Sequence, residues 1–122
     1  MNKQKILIVD DSMFMRRQIS TMIKEGKDKE IIEAANGVEG ITLYQDTKPD
    51  LVLLDITMPD KSGIEVLEEL LVIDSKANII MCSALGQEQM ISDALRIGAK
   101  DFLVKPIKKE QLLSVLQAYD HV

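Results

Sequence analysis

Asp55 closes a short apolar run, Leu51-Val52-Leu53-Leu54, and stands directly before Ile56-Thr57-Met58-Pro59. Other polar residues repeat the arrangement: Asp10 and Asp11 follow Ile6-Leu7-Ile8-Val9, Ser83 lies just beyond Ile79-Ile80-Met81, and Lys105 follows Phe102-Leu103-Val104. If these runs are parallel strands, all of these side chains gather at one edge of one sheet. Three carboxylates brought close repel one another, and a hard divalent cation relieves that repulsion. Mg²⁺ takes a few oxygen ligands at about 2.0–2.1 Å and keeps several waters, so a pocket with few carboxylates and solvent access suits it. Lys105 adds a mobile positive charge for a carboxylate or phosphoryl oxygen, and Ser83 adds a hydroxyl donor. A carboxylate relieved of charge in this way can attack phosphorus and become an acyl phosphate.

Each of these residues has a plainer role when taken alone. An Asp at a strand end serves a turn or a cap, a Ser there bonds locally, and a Lys before a Pro is solvated. The chemical reading prevails because four separate strands bring complementary groups to the same edge. Other residues keep the plain reading. Phe102 by itself reads as core, and Cys82 as a buried small apolar residue. The seven Met, among them Met13, Met15 and Met22, read as core filler, and His121 as an exposed, idle side chain.

The elements that must position these groups follow from periodicity. Apolar runs at 6–9, 31–32, 51–54, 79–81 and 102–104 alternate with segments of three-to-four-residue spacing. Met15, Ile19, Met22 and Ile23 share one helical face. So do Ile64, Leu67, Leu70 and Leu71, then Met90, Ile91, Ala94 and Leu95, then Leu112, Leu113, Leu116 and Tyr119. Val38 and Ile41 give a weaker signal for the second helix. Five strands each followed by a helix predict a parallel sheet covered on both faces. Ser12 is placed to cap the first helix. Asn36-Gly37 and the stretch from Pro59 to Gly63 mark turns, and Gly98 stops the fourth helix. The run from Gly26 to Glu30 reads as a charged, solvated loop. In open parallel sheets, ligands bind outside the carboxyl ends of the strands where the strand order reverses. The polar residues follow strands one, three, four and five, whereas the second strand contributes nothing comparable. An order of 2-1-3-4-5, with strand two outermost, accounts for this. The fold expected is a doubly wound, flavodoxin-like (βα)5 domain over residues 1–122.

Composition narrows the function classes. The 122 residues are 46% hydrophobic and 29% charged, a globular profile for one domain. A net charge of −5 and a pI near 4.9 leave no basic face for DNA or an anionic membrane. Aromatic residues at 3%, with no Trp, are too few for a base-stacking platform. A single cysteine rules out an internal disulfide and a Cys-rich metal site, and fits a reducing cytoplasm. No apolar stretch is long enough for a membrane span, and no signal peptide precedes the first strand. The start at Met1 argues against a fragment.

These residues also resemble the receiver domain of two-component response regulators. Ile6-Leu7-Ile8-Val9-Asp10-Asp11-Ser12 resembles the first-strand motif with its acidic pair. Leu53-Leu54-Asp55-Ile56-Thr57-Met58-Pro59 followed by Gly63 resembles the phosphoacceptor motif. Ser83-Ala84 matches the hydroxyl position, and Gly98 through Pro106 the last strand. The resemblance covers essentially the whole chain. It implies that Asp55 accepts a phosphoryl group from a histidine kinase. It implies Mg²⁺, with Mn²⁺ as a substitute, on Asp11, Asp55 and the Thr57 carbonyl, Asp10 acting through water. Lys105 would pair with the phosphoryl group, Ser83 would swing to bond it, and Phe102 would turn inward and alter the surface of helix four, strand five and helix five. The Lys105–Pro106 bond would be cis. Ser83 stands where Thr is commoner and Phe102 where Tyr is frequent, so Phe102 can report only by burial. Thr57 and Leu85 occupy the positions that tune acyl-phosphate hydrolysis, and apolar Leu85 implies a long-lived phosphoryl state. The stretch Asp55–Pro59 together with Cys82-Ser83-Ala84-Leu85-Gly86-Gln87 resembles chemotaxis regulators of Gram-positive and thermophilic bacteria. The partners implied are a histidine kinase, the flagellar switch protein or another protein target, and a phosphatase, acting on a monomer.

Three rival readings stand beside this one. A phosphorelay intermediate would pass the group on to another protein's histidine. A haloacid-dehalogenase-type phosphatase also uses an Asp after a strand, but it needs a second Asp two residues on, where this chain has Thr57. A flavin carrier of the same strand order would want a hydroxyl-rich phosphate loop after strand one, where Asp10-Asp11 would repel phosphate.

Overall fold

A computed structural model describes residues 3–24 and 28–119. The elements run β1 (Gln4–Val9), α1 (Met13–Lys24), β2 (Lys29–Ala34), α2 (Gly37–Thr47), β3 (Leu51–Asp55), α3 (Gly63–Ile73), β4 (Ile79–Ser83), α4 (Glu88–Ile97), β5 (Asp101–Val104) and α5 (Lys109–Ala118). All strand pairings are parallel, in the order β2-β1-β3-β4-β5. This is the flavodoxin-like arrangement expected from the sequence. The expected exposure of His121 and the Gly26-Lys27 part of the charged loop lie outside the described residues.

The period of two along each strand splits the core into two. Leu7, Val9, Val52, Leu54, Ile79 and Met81 point to one face, where Tyr44 of α2, Val66, Leu67 and Leu70 of α3, and Ile91 and Ala94 of α4 cover them. Ile6, Ile8, Leu51, Leu53, Ile80, Cys82 and Leu103 point to the other, against Ile19 and Ile23 of α1 and Leu112, Val115 and Leu116 of α5. Both faces are therefore dry, which is why β1, β3 and β4 read as unbroken apolar runs.

Local capping sets where the helices start. The Ser12 hydroxyl accepts from the Met15 N–H at 3.2 Å. The Asn36 side chain accepts from the Glu39 N–H at 2.8 Å. Ser62 and Glu65 form a reciprocal capping box on α3. The second helix, weakly signalled by Val38 and Ile41, is fully formed, because Asp60 adds its carboxylate to the Gly37 and Val38 N–H groups at 3.0 Å each.

Some sequence expectations need correcting. Leu95 is on the outer side of α4 and exposed, so the buried stripe there is Ile91 and Ala94 flanked by Met90. Met13 is exposed and is no core filler, whereas Met58 and Met81 are buried. Phe102 is also exposed. It alternates with Leu103, and only Leu103 faces the core under α5. Phe14, for which the sequence suggested no role, is 72% exposed on the first turn of α1.

Candidate functional site

The register of the sheet builds the site. Asp10 continues the row of Ile6 and Ile8, Asp55 continues Leu51 and Leu53, and Lys105 continues Leu103. These three side chains therefore leave the carboxyl edge on the same face, the one lined by α1 and α5. Ser83 continues the opposite row of Ile79 and Met81, one position past Cys82, which pairs with Asp55 in the ladder. The Lys105 N–H donates to the Ser83 carbonyl at 2.7 Å, and the Ile56 N–H to the Cys82 carbonyl at 3.0 Å. The strand ends are thus fixed by backbone bonds up to the polar groups themselves.

The side chains converge. Carboxylate oxygens of Asp10, Asp11 and Asp55 all lie within 4.8 Å of one another. The Lys105 ammonium reaches between two of them, at 3.0 Å from Asp10 Oδ2 and 3.2 Å from Asp55 Oδ1. Asp10 is buried and its Oδ1 also accepts from the Ser12 N–H at 2.9 Å, while Asp11 is exposed at the rim. Asp55 is only 7% exposed. Burial, and then the charge of Asp10, push its carboxyl from an ordinary 3.8 up to about 6, against the opposing pull of Lys105. Burial alone would lower the pKa of Lys105. Its bonds to Asp10 and the charges of Asp55 and Asp10 outweigh this and raise it. Three ionised carboxylates facing one ammonium leave two negative charges over. The donors are all hard oxygens, and one of them is open to solvent, which fits a divalent cation such as Mg²⁺.

Ser83 is fully buried, and its Oγ has no hydrogen-bond partner. A buried hydroxyl left unpaired costs about 1–3 kcal/mol, so this one has an unmet bonding capacity. Around it the loops are held closely. The Gly63 N–H donates to the Ile56 carbonyl at 2.6 Å. A Cβ at Gly63 would lie 2.3 Å from the Asp55 carbonyl oxygen, so only glycine lets α3 begin this close to the end of β3. The Thr57 N–H lies 3.5 Å from Asp55 Oδ1. The Lys105–Pro106 bond is cis.

The structure brings Asp10, Asp11, Asp55 and Lys105 together, with Ser83 at the adjoining strand end. Leu85 is 83% exposed at the tip of the β4–α4 loop. Phe102 sits on the surface of β5, beside an apolar depression lined by Leu85, Ile91, Leu95 and Val104. Residues not expected from the sequence also take part. The Arg16 guanidinium donates to the Asp10 carbonyl at 2.7 Å and pairs with Glu33 at 3.0 Å. Strand two brings no group into the cluster, as expected, but its Glu33 pairs with the Arg16 that holds the Asp10 carbonyl. Gln87 spans the two loops beside Asp55 with its carboxamide. A basic residue one helical turn past the acidic pair was a signal for Arg16, but neighbouring Arg17 made it ambiguous. Nothing in the local pattern singles out Gln87.

The comparisons agree with this geometry. A family described as "Response regulator receiver domain" matches residues 6–117. The chemotaxis protein CheY of Listeria monocytogenes is 47% identical over 113 residues, covering 93% of this chain and 95% of that protein. The chemotaxis protein CheY of Bacillus subtilis is 46% identical over 112 residues, covering 92% and 93%. The crystal structure of chemotaxis protein CheY4 from Vibrio cholerae superposes with a TM-score of 0.88 at 28% identity, covering 96% of this chain and 98% of that one.

Proposed function

The chain belongs to the response regulator receiver domain family, and from that premise we propose that it is a phosphoryl-accepting switch in which Asp55 is the acceptor. The observation that carries this is the convergence of Asp55 with Asp10, Asp11 and Lys105 beside the unpartnered Ser83 hydroxyl. CheY-like receivers take phosphate from a histidine kinase and bind target proteins, and a CheA-like kinase is the donor in this reading. An Asp55 carboxylate oxygen attacks the phosphorus of a phosphohistidine. The P–N bond breaks, the imidazole leaves, and an acyl phosphate remains on Asp55. Asp11, Asp55 and the Thr57 carbonyl would hold Mg²⁺ or Mn²⁺, with Asp10 acting through water, and the ion would supply neutralising charge at the phosphoryl oxygens. Lys105 supplies a second positive charge, and Ser83 gains the acceptor it lacks.

Phosphorylation adds about −1.5 to −2 charge and new acceptor oxygens. As Ser83 turns to these oxygens, Phe102 swings from solvent into the depression beside it, and the surface of α4, β5 and α5 changes. With no phenolic hydroxyl, Phe102 reports by burial alone. Thr57 stands where a haloacid-dehalogenase-type phosphatase needs a second acid, so Asp55 holds its phosphoryl group and does not turn it over. Leu85 points to solvent and offers no group to orient an attacking water. The phosphoryl state is therefore long-lived, and a decay half-time of only a few seconds would count against this reading.

The nearest output is CheY-like control of the flagellar switch by a cytoplasmic monomer, with residues 1–122 acting as one receiver unit and a separate phosphatase ending the signal. Similarity to chemotaxis proteins over most of both chains supports this output. The decisive experiment is incubation with Mg²⁺ and a small acyl phosphate, followed by intact mass. A gain of one phosphoryl group is expected in the wild type and in Ser83→Ala, and none in Asp55→Ala. No gain in the wild type sinks the proposal. Capture of the flagellar switch protein, strengthened by a phosphoryl mimic, supports chemotaxis, whereas transfer to another protein's histidine would make the chain a relay intermediate.

A further inference from the structure

Gln87 occupies the N-cap position of α4, yet its side chain makes no capping bond. Glutamine is not among the residues that cap well, and here the carboxamide is engaged elsewhere. Its Oε1 accepts from the Ala84 N–H at 2.7 Å, and its Nε2 donates to Thr57 Oγ1 at 2.8 Å. One planar group therefore ties the β4–α4 loop to the β3–α3 loop, the two loops that leave the strands carrying Ser83 and Asp55. Gly86 makes this possible. Its φ of 89° turns the chain back so that residue 87 can reach residue 84, and its missing side chain would have met nothing, so backbone conformation and not space is what requires glycine there.

The peptide held by Gln87 is the one that joins Ser83 to Ala84. While its N–H is bonded to Oε1, that peptide cannot advance toward Asp55, and the neighbouring Ser83 hydroxyl stays buried without a partner. The same carboxamide keeps the Thr57 hydroxyl turned to Gln87. We propose that Gln87 is a positioning residue that latches the receiver in its unphosphorylated arrangement, and that the Ala84–Gln87 bond must break before Ser83 can engage a phosphoryl group on Asp55. The latch rests on the receiver reading above. It stabilises the resting loop and so opposes occupancy of the site by a phosphoryl group.

The test uses the full chain and beryllofluoride with Mg²⁺, a tetrahedral stand-in for a phosphoryl group on a carboxylate, titrated while backbone amides are followed by NMR. Gln87→Met keeps the length of the side chain and removes both bonds. Two hydrogen bonds at the surface set the size of the effect, so half-saturation is expected at a concentration about 3–10-fold lower than in the wild type. The Ala84 amide should lose its hydrogen-bonded shift before any beryllofluoride is added. Thr57→Val removes only the other partner and should shift half-saturation less, in the same direction. The double variant should match Gln87→Met alone, because the tie is already broken; this coupling would not arise from a general loss of stability. Should Gln87→Met fail to fold, Thr57→Val tests the same tie from the other loop. An unchanged or weaker response in Gln87→Met, or additive shifts in the double variant, overturns the latch. A wild type that does not respond to beryllofluoride sinks the receiver reading itself, and the latch with it.

Discussion

Asp55 is a carboxylate placed where its charge is disfavoured. Burial and Asp10 raise its pKa from 3.8 to about 6. The folded protein therefore holds that proton more tightly than the unfolded chain does. In metal-free buffer this group favours folding fully below 3.8, and its contribution is lost as pH rises through about 6. The loss is on the order of 3 kcal/mol. Asp55→Asn should remove this pH dependence and raise metal-free stability at neutral pH by a similar amount, read as the urea midpoint from pH 4 to 7.5. A variant that is less stable than the wild type at neutral pH would mean that the bond to Lys105 outweighs the repulsion. Asp55 was legible in the sequence as a strand-end carboxylate. Its perturbation was not, because it depends on the distance to Asp10 and on how much of the carboxylate is covered.

At the scale of elements, the site depends on helices that start in the right place. Gly63 lets α3 begin against the end of β3, and a Cβ there would meet backbone atoms that cannot swing aside. Gly63→Ala should cost about 1–3 kcal/mol and should displace the β3–α3 loop. The check is a lowered urea midpoint together with slower phosphorylation by a small acyl phosphate. Asp60 holds the first turn of α2 by two backbone N–H groups, which keep its carboxyl below its usual range, bonding to Gly37 first among the causes. Asp60→Ala should cost about 0.5–2 kcal/mol, as for other lost caps, with faster hydrogen exchange in the first turn of α2 as the local sign. The helices and their stripes were legible from periodicity. The exceptions were Met13, Val38, Leu95 and Phe102, which the pattern allowed inside and the packing left outside.

At the scale of the molecule, a cation held at the acidic edge would link its binding to folding. A ligand that binds only the folded form stabilises it in proportion to the logarithm of its concentration. Mg²⁺ at tenfold over its Kd should add about 1.4 kcal/mol and raise the thermal midpoint by roughly 5 °C. Asp11→Asn, at the exposed rim, should keep the fold and lose most of that rise. An equal rise in the variant would place the ion elsewhere. Among the described residues, no helix is long and apolar enough to cross a membrane. Two apolar layers cover the two faces of one sheet, and the carboxyl edge is left to the polar groups.

The sequence by itself determined the strand order, and it placed Asp10, Asp11, Asp55, Ser83 and Lys105 at the carboxyl edge of the sheet. Each of these follows from a run of apolar residues and what stands next to it along the chain, which are local properties. The tertiary structure decided which of those groups touch, and which further residues hold them. Asp10, Asp55 and Lys105 meet because the strand registers give them one parity, and Ser83 is left unpaired because its own row has the other. Arg16, Glu33 and Gln87 entered the site only there. The Arg16–Glu33 and Thr57–Gln87 bonds join segments distant in sequence, at separations that packing sets.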